Sequence, residues 1–142
     1  MAVSNHERVG KALEVLNRGL QPFIEREMRA VHGGNWLKVA AVDLKDDRNV
    51  AAIKADAHWD TQALLAVLWF QWNSVFNKVL GQAERSIVSE LRTTRNKWAH
   101  QESFTTDDAY RALDSISRLL AAISSPEASD VEHQKQELLR LR

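Results

Sequence analysis

TQALLAVLWFQWNSVFNKVL, residues 61–80, decides the fold. Leu64, Leu65, Leu68, Trp69, Trp72, Phe76 and Leu80 recur at helical spacings and cover a wide arc. Their period predicts one helix over the whole stretch, apolar on nearly every side. Asp60 stands where an N-cap belongs, and Gly81 ends the run. A helix of that kind lies in the middle of a bundle or presses one face on a partner, so the rest of the chain has to supply its neighbours.

Working outward, each flank reads as helix. Upstream, Val9, Leu13, Leu16 and Leu20 recur three and four residues apart, predicting a helix over 5–18. Pro22 has no backbone N–H to donate, so it either kinks one long helix or opens a second, PFIEREMRAVH, that stops at Gly33-Gly34. Asn35 suits the cap of a short helix, WLKVAAVDL. The following KDDRNVAAIKADAH is polar and weakly periodic and reads as a loop. Downstream come QAERSIVSELRTTRNKWAHQ, with Ile87, Val88, Leu91 and Trp98 inward, and a helix capped by Thr105 or Thr106. Ser125-Pro126-Glu127 starts a last, charged helix that stops at Arg142. That stop fits either an N-terminal domain cut from a longer protein or an ordinary charged tail. The fold class expected is all-α: a bundle of four to five main helices with short connecting helices, in one domain over 1–142.

Composition excludes several functions. Lysine plus arginine equals aspartate plus glutamate at 19 each, so overall charge announces neither nucleic acid nor membrane. Cysteine is absent, which removes disulfides, zinc–thiolate sites and thiol nucleophiles. The first residues, MAVSNHERVGKAL, lack a signal peptide's apolar run. No stretch nears the roughly 20 apolar residues of a membrane span. The expectation is a soluble, cytoplasmic protein without membrane contact, metal or cofactor. His6, His32, His58 and His133 are scattered, with no two at ligand spacing on one helix. Ser86, Ser89 and Ser103 have no base-and-orienter set, and no Gly-rich phosphate loop exists.

The tryptophans read as core rather than as base-stacking platforms. Trp69 and Trp72 lie three apart in an apolar helix, suiting the core or a dimer interface. Trp98 is expected to pack inward and anchor the backbone around it. Trp36 and Trp59 flank the polar loop and would plug it onto the bundle.

RTTRNKWAH, residues 92–100, carries the chemistry. Arginine presents a planar fork of donors that suits a phosphate. Histidine titrates near neutrality and shuttles protons. Asparagine fixes a ring tautomer or a substrate oxygen. Together Arg95, Asn96 and His100 suit metal-independent RNA cleavage, in which the ribose 2′-OH attacks the adjacent phosphorus and a cation stabilises the phosphorane. Arg92 and Lys97 could bind flanking phosphates, although solvated charges paired along a helix explain them equally. Geometry sets a condition. Positions four apart on a helix share a face, whereas five apart diverge by about 140°. Arg95 and His100 therefore do not converge on one atom from a straight helix. Either the helix ends near Ala99 and frees His100, or two copies each lend part of a joint site.

RNKWAH resembles the arginine–polar–three spacers–histidine signature of the HEPN superfamily. The wider phrase, from WFQWNSVFNKVL through RNKWAHQESF to DSISRLLAAI, resembles its Swt-like branch, named for a transcript-quality-control ribonuclease. The similarity reaches more loosely back through VGKALEVLNRGLQPFIEREM. It implies a HEPN-type helical bundle that forms a homodimer, with Arg95, Asn96 and His100 from two protomers around a shared groove. It implies RNA as partner, and a metal-independent endoribonuclease activity. Bacterial members often head longer proteins with ATPase or helicase-like domains, some in defence systems. Other members dimerise and bind RNA without cutting, and that non-catalytic module is the alternative. A purely protein-interacting bundle is the third reading.

Overall fold

A computed structural model describes residues 3–45 and 59–141. The expected loop from Lys45 onward lies almost wholly outside them. Helix α1 spans Asn5–His32 without a break. Ser4 caps it, with the Glu7 N–H donating to Ser4 Oγ at 3.1 Å. Pro22 lies inside the helix on its exposed side, so the hydrogen bond it forgoes falls where water can replace it. The long-helix alternative therefore holds. Val9, Leu13, Leu16, Leu20, Ile24 and Met28 form the buried stripe. Gly33 ends it at φ 61°, a backbone conformation that a side chain resists, with its N–H on the Arg29 carbonyl.

A 3₁₀ turn, Gly33–Asn35, leads into α2, Trp36–Lys45. Trp36 and Trp59, the tryptophans on either side of the polar stretch, are both buried and stack at 5.6 Å between centroids.

Helix α3 starts as expected: the Ala63 N–H donates to Asp60 Oδ1 at 2.8 Å. It then departs from expectation, covering only Thr61–Phe70 rather than running to residue 80. The chain widens into i→i−5 bonds, Phe76 N–H to the Gln71 carbonyl and Asn77 N–H to that of Trp72, before a 3₁₀ turn at Phe76–Lys78. Asn73 and Ser74, whose side chains compete with helical backbone bonds, sit where it breaks. Gln71, at the cap, is held by side-chain bonds to His32 and Asp43. Trp72, Val75, Phe76 and Leu80 are buried beyond the break, so the apolar spacing alone could not reveal it.

Helix α4, Gln82–Ala99, begins with the Gly81 N–H on Glu84 Oε1 at 2.9 Å, so Gly81 opens this helix rather than only closing the preceding one. Helix α5, Thr106–Ala122, is capped by Thr105. Helix α6, Ala128–Arg140, starts two residues after Pro126, which occupies the turn leading in.

The result is an all-α bundle; among the described residues there is no strand. Helix α1 is its hub, packed on α3, α4, α5 and α6. Helix α3 is wedged against α1, α2 and α4, which explains why Gln62 through Leu68 are all buried. No helix of the described residues is long and apolar enough to cross a membrane.

Candidate functional site

Only two residues of α4, Val88 and Leu91, are fully buried. Arg95 and Trp98 follow at the same alternation of three and four, so both continue the inward line. Arg95 thus occupies a place an apolar residue would ordinarily take. It is half-buried, and its terminal NH1 donates to Gln62 Oε1 at 2.5 Å. Gln62, on the first turn of α3, is only 4 % exposed. That charge-assisted bond holds the guanidinium between α3 and α4.

Trp98 fixes the end of the same helix. Its Nε1–H donates to the His6 carbonyl at 3.2 Å, and the His6 Nε2–H returns a bond to the Trp98 carbonyl at 3.0 Å. The two rings stack at 5.3 Å. Gly10, one turn further along α1, makes room: a Cβ there would lie 2.8 Å from Trp98 Nε1. The inward packing expected of Trp98 is therefore present, although the ring stays partly exposed.

The helix ends at Ala99, one of the two ways out that its geometry required. His100 is the C-cap and is exposed. Gln101 follows at φ 60°, its N–H on the Trp98 carbonyl, and the Glu102 N–H reaches the Lys97 carbonyl. This is a Schellman closure without the usual glycine. A non-glycine residue in that conformation is held there by its surroundings, immediately beside the motif histidine. Arg95 and His100 leave α4 in different directions: one lines the inner wall, the other stands at the open end. Asn96 is half-buried beside them, and its carbonyl accepts the His100 N–H at 3.0 Å.

The inner wall bounds a cleft of about 530 Å³ between α1, the start of α3 and α4. Leu13, Glu14, Asn17, Trp59, Arg95 and Trp98 line it. Asn17 is 7 % exposed. Its Nδ2 donates to the Trp59 carbonyl at 2.8 Å and to Thr61 Oγ1 at 3.3 Å, while its Oδ1 is buried with no hydrogen-bond partner among the described residues. An orphaned buried acceptor costs about 1–3 kcal/mol, so it needs a reason.

The flanking cations are engaged rather than loose. Lys97 Nζ lies 3.6 Å from Asp108 and 4.9 Å from the Phe104 ring centroid. The Thr105 hydroxyl and N–H, with Lys97 adding to them, hold the Asp108 carboxyl below its ordinary range. The Arg92 guanidinium sits 5.5 Å over Phe70, and that of Arg85 4.8 Å over Trp69.

Sequence reasoning missed Asn17, Gln62 and His6. The first two had a signal: each is an amide inside an otherwise apolar stripe. His6 had none, because its partner lies 92 residues away.

A helical bundle whose fourth helix ends on an arginine–asparagine–histidine motif, arginine at a cleft and histidine at the cap, defines a class of small α-helical domain. A family model described as Swt1-like HEPN matches residues 11–124, and the chain belongs to that family. Membership makes it, in general terms, a HEPN-type module of the nuclease and RNA-binding kind. No curated protein and no solved structure matches the chain.

Proposed function

We propose that this domain is a metal-independent endoribonuclease acting as a homodimer. The observation that carries the reading is the termination of α4 between Arg95 and His100, which leaves an exposed imidazole one turn beyond a cleft-lining guanidinium. The ribose 2′-OH attacks phosphorus as a base takes its proton. The P–O5′ bond breaks as an acid protonates the departing 5′ oxygen, giving a 2′,3′-cyclic phosphate and a 5′-OH. His100 serves as acid or base, Arg95 binds the scissile phosphate and stabilises its added charge, and Asn96 positions His100 or the ribose. Arg92 and Lys97 hold flanking phosphates. On this reading the complete set comes from two copies, since Arg95 lines the cleft of its own chain while His100 stands exposed at the helix end.

Excess chelator, RNA and three preparations test this: wild type, His100→Ala and Arg95→Ala. Wild type cuts and neither variant does. Mixing the two variants one to one restores about a quarter of the activity, because half the dimers carry one intact composite site of two. Intact RNA with wild type, or equal cutting by His100→Ala, sinks the proposal. No recovery on mixing removes the composite site.

One observation favours a second reading. Arg95 is bonded to Gln62, an internal tie suited to a structural role. On that reading the domain dimerises and binds RNA without cutting, as one module of a longer ATPase- or helicase-like defence protein. RNA binding would then survive His100→Ala unchanged and no cyclic phosphate would form.

A further inference from the structure

The cleft beside Arg95 holds chemistry that phosphate binding does not use. Its volume of about 530 Å³ suits a single nucleotide unit. Two indoles line it, and each is held by a stacked ring: Trp59 by Trp36 and Trp98 by His6. Rings held rigid in that way lose little freedom when a planar group settles against them. Asn17 has both amide hydrogens committed, to the Trp59 carbonyl and the Thr61 hydroxyl, so its orientation is fixed. Among the described residues its Oδ1 is left as a buried acceptor without a partner, on a side chain that lines the cleft. Such an atom selects a ligand with an N–H donor. The guanidinium of Arg95 has five N–H groups, of which NH1 serves Gln62, so donors remain for an anionic oxygen.

We propose that this cleft is a base subsite. It takes a nucleobase that lies along the indoles and presents an N–H to Asn17 Oδ1, with the attached phosphate at Arg95. The ligand chemistry is a nucleoside monophosphate unit, supplied by an RNA strand or as a free nucleotide. It rests on the nuclease reading only for which phosphate is cut; binding itself requires no cleavage.

The test uses the full chain carrying His100→Ala, so that RNA stays whole. Oligoribonucleotides of about ten residues, each with one abasic position stepped along the strand, are titrated at fixed low salt by tryptophan fluorescence and calorimetry. One abasic position should weaken binding about tenfold or more. Glu14 is exposed and lines the cleft, so Glu14→Trp should plug it and erase that step. Glu14→Gln, which changes charge without bulk, should retain it. Free AMP, GMP, CMP and UMP that bind saturably and displace the strand identify a subsite open to free nucleotides. Mononucleotides that fail while the abasic step persists identify a subsite used only within a strand. Uniform binding across the series, binding of neither probe, or an abasic step that survives Glu14→Trp overturns the proposal. Wild-type chain that never cuts but shows the step leaves the subsite standing and removes the nuclease. Cutting with a flat series does the reverse.

Discussion

A guanidinium in the row Val88, Leu91, Arg95, Trp98 makes Arg95 separable from the fold. Methionine has similar reach and suits a half-buried apolar row. Arg95→Met leaves Gln62 Oε1 without its donor, a cost of about 1–3 kcal/mol, and gains some apolar burial in return. The net loss of stability should stay within about 2 kcal/mol while phosphate binding disappears. Pairing it with Gln62→Leu should recover most of that loss without restoring binding, as denaturant titration and RNA binding together would show. If the single variant unfolds, the residue is structural first. Gly10 is the opposite case. Alanine is the better helix former by about 1 kcal/mol, but its Cβ would collide with Trp98 Nε1. Overpacking costs about 1–3 kcal/mol, so Gly10→Ala should destabilise despite its propensity. A higher melting temperature would show that the ring yields freely.

At the scale of elements, the caps were readable and one break was not. Asp60, Thr105 and Gly33 each do locally what their residue types do anywhere, so they could be found without tertiary knowledge. The end of α3 at Phe70 depends on Gln71 being held by His32 and Asp43, residues distant in sequence, and it was invisible to periodicity. The same distinction applies to the docking of α6. Lys135, 12 % exposed, bridges Asp114 of α5 and Glu132 of α6, and Ser117 donates to Glu132. Burial pulls the Asp114 carboxyl up, but bonds from Arg118 and Lys135 outweigh it and leave it below its ordinary 3.8. Lys135 and then Ser117 hold Glu132 below its ordinary 4.5. Carboxylates with depressed folded values add stability that is complete above those ordinary values and vanishes as pH falls through the lower, folded ones. The α5–α6 contact should therefore hold at pH 7 and weaken below about pH 4. Hydrogen exchange along α6 at pH 7 and pH 3 reads this directly, after correction for intrinsic rates. Equal protection at both would place the strength in Val131 and Leu138.

For the whole molecule, the all-α class and the motif were legible because apolar periodicity and a short signature are properties of adjacent residues. The cleft was not, because its walls come from α1, the turn before α3 and α4, and a helical wheel cannot show which faces meet. It did show that residues five apart on a helix do not share a face; in the structure Arg95 lines the cleft and His100 is the exposed cap. Charge behaves similarly: a formally neutral chain gives no overall field, so any attraction for RNA is local. Arg92 and Lys97 should each account for one phosphate contact. The slope of log affinity against log salt should fall by about 0.7 for each one replaced by alanine on single-stranded RNA. An unchanged slope in the double variant would mean that both serve only their aromatic neighbours.

The mutual clasp of His6 and Trp98 gives the signature a dependence its sequence conceals. A synthetic peptide copying α4 and its cap, residues 82–100, would contain every letter of RNKWAH yet possess no recess, no braced indole and no oriented arginine. The recess is a possession of the assembled domain, and trimming its opening turn should undo the arrangement around the distant motif as surely as altering a letter within it.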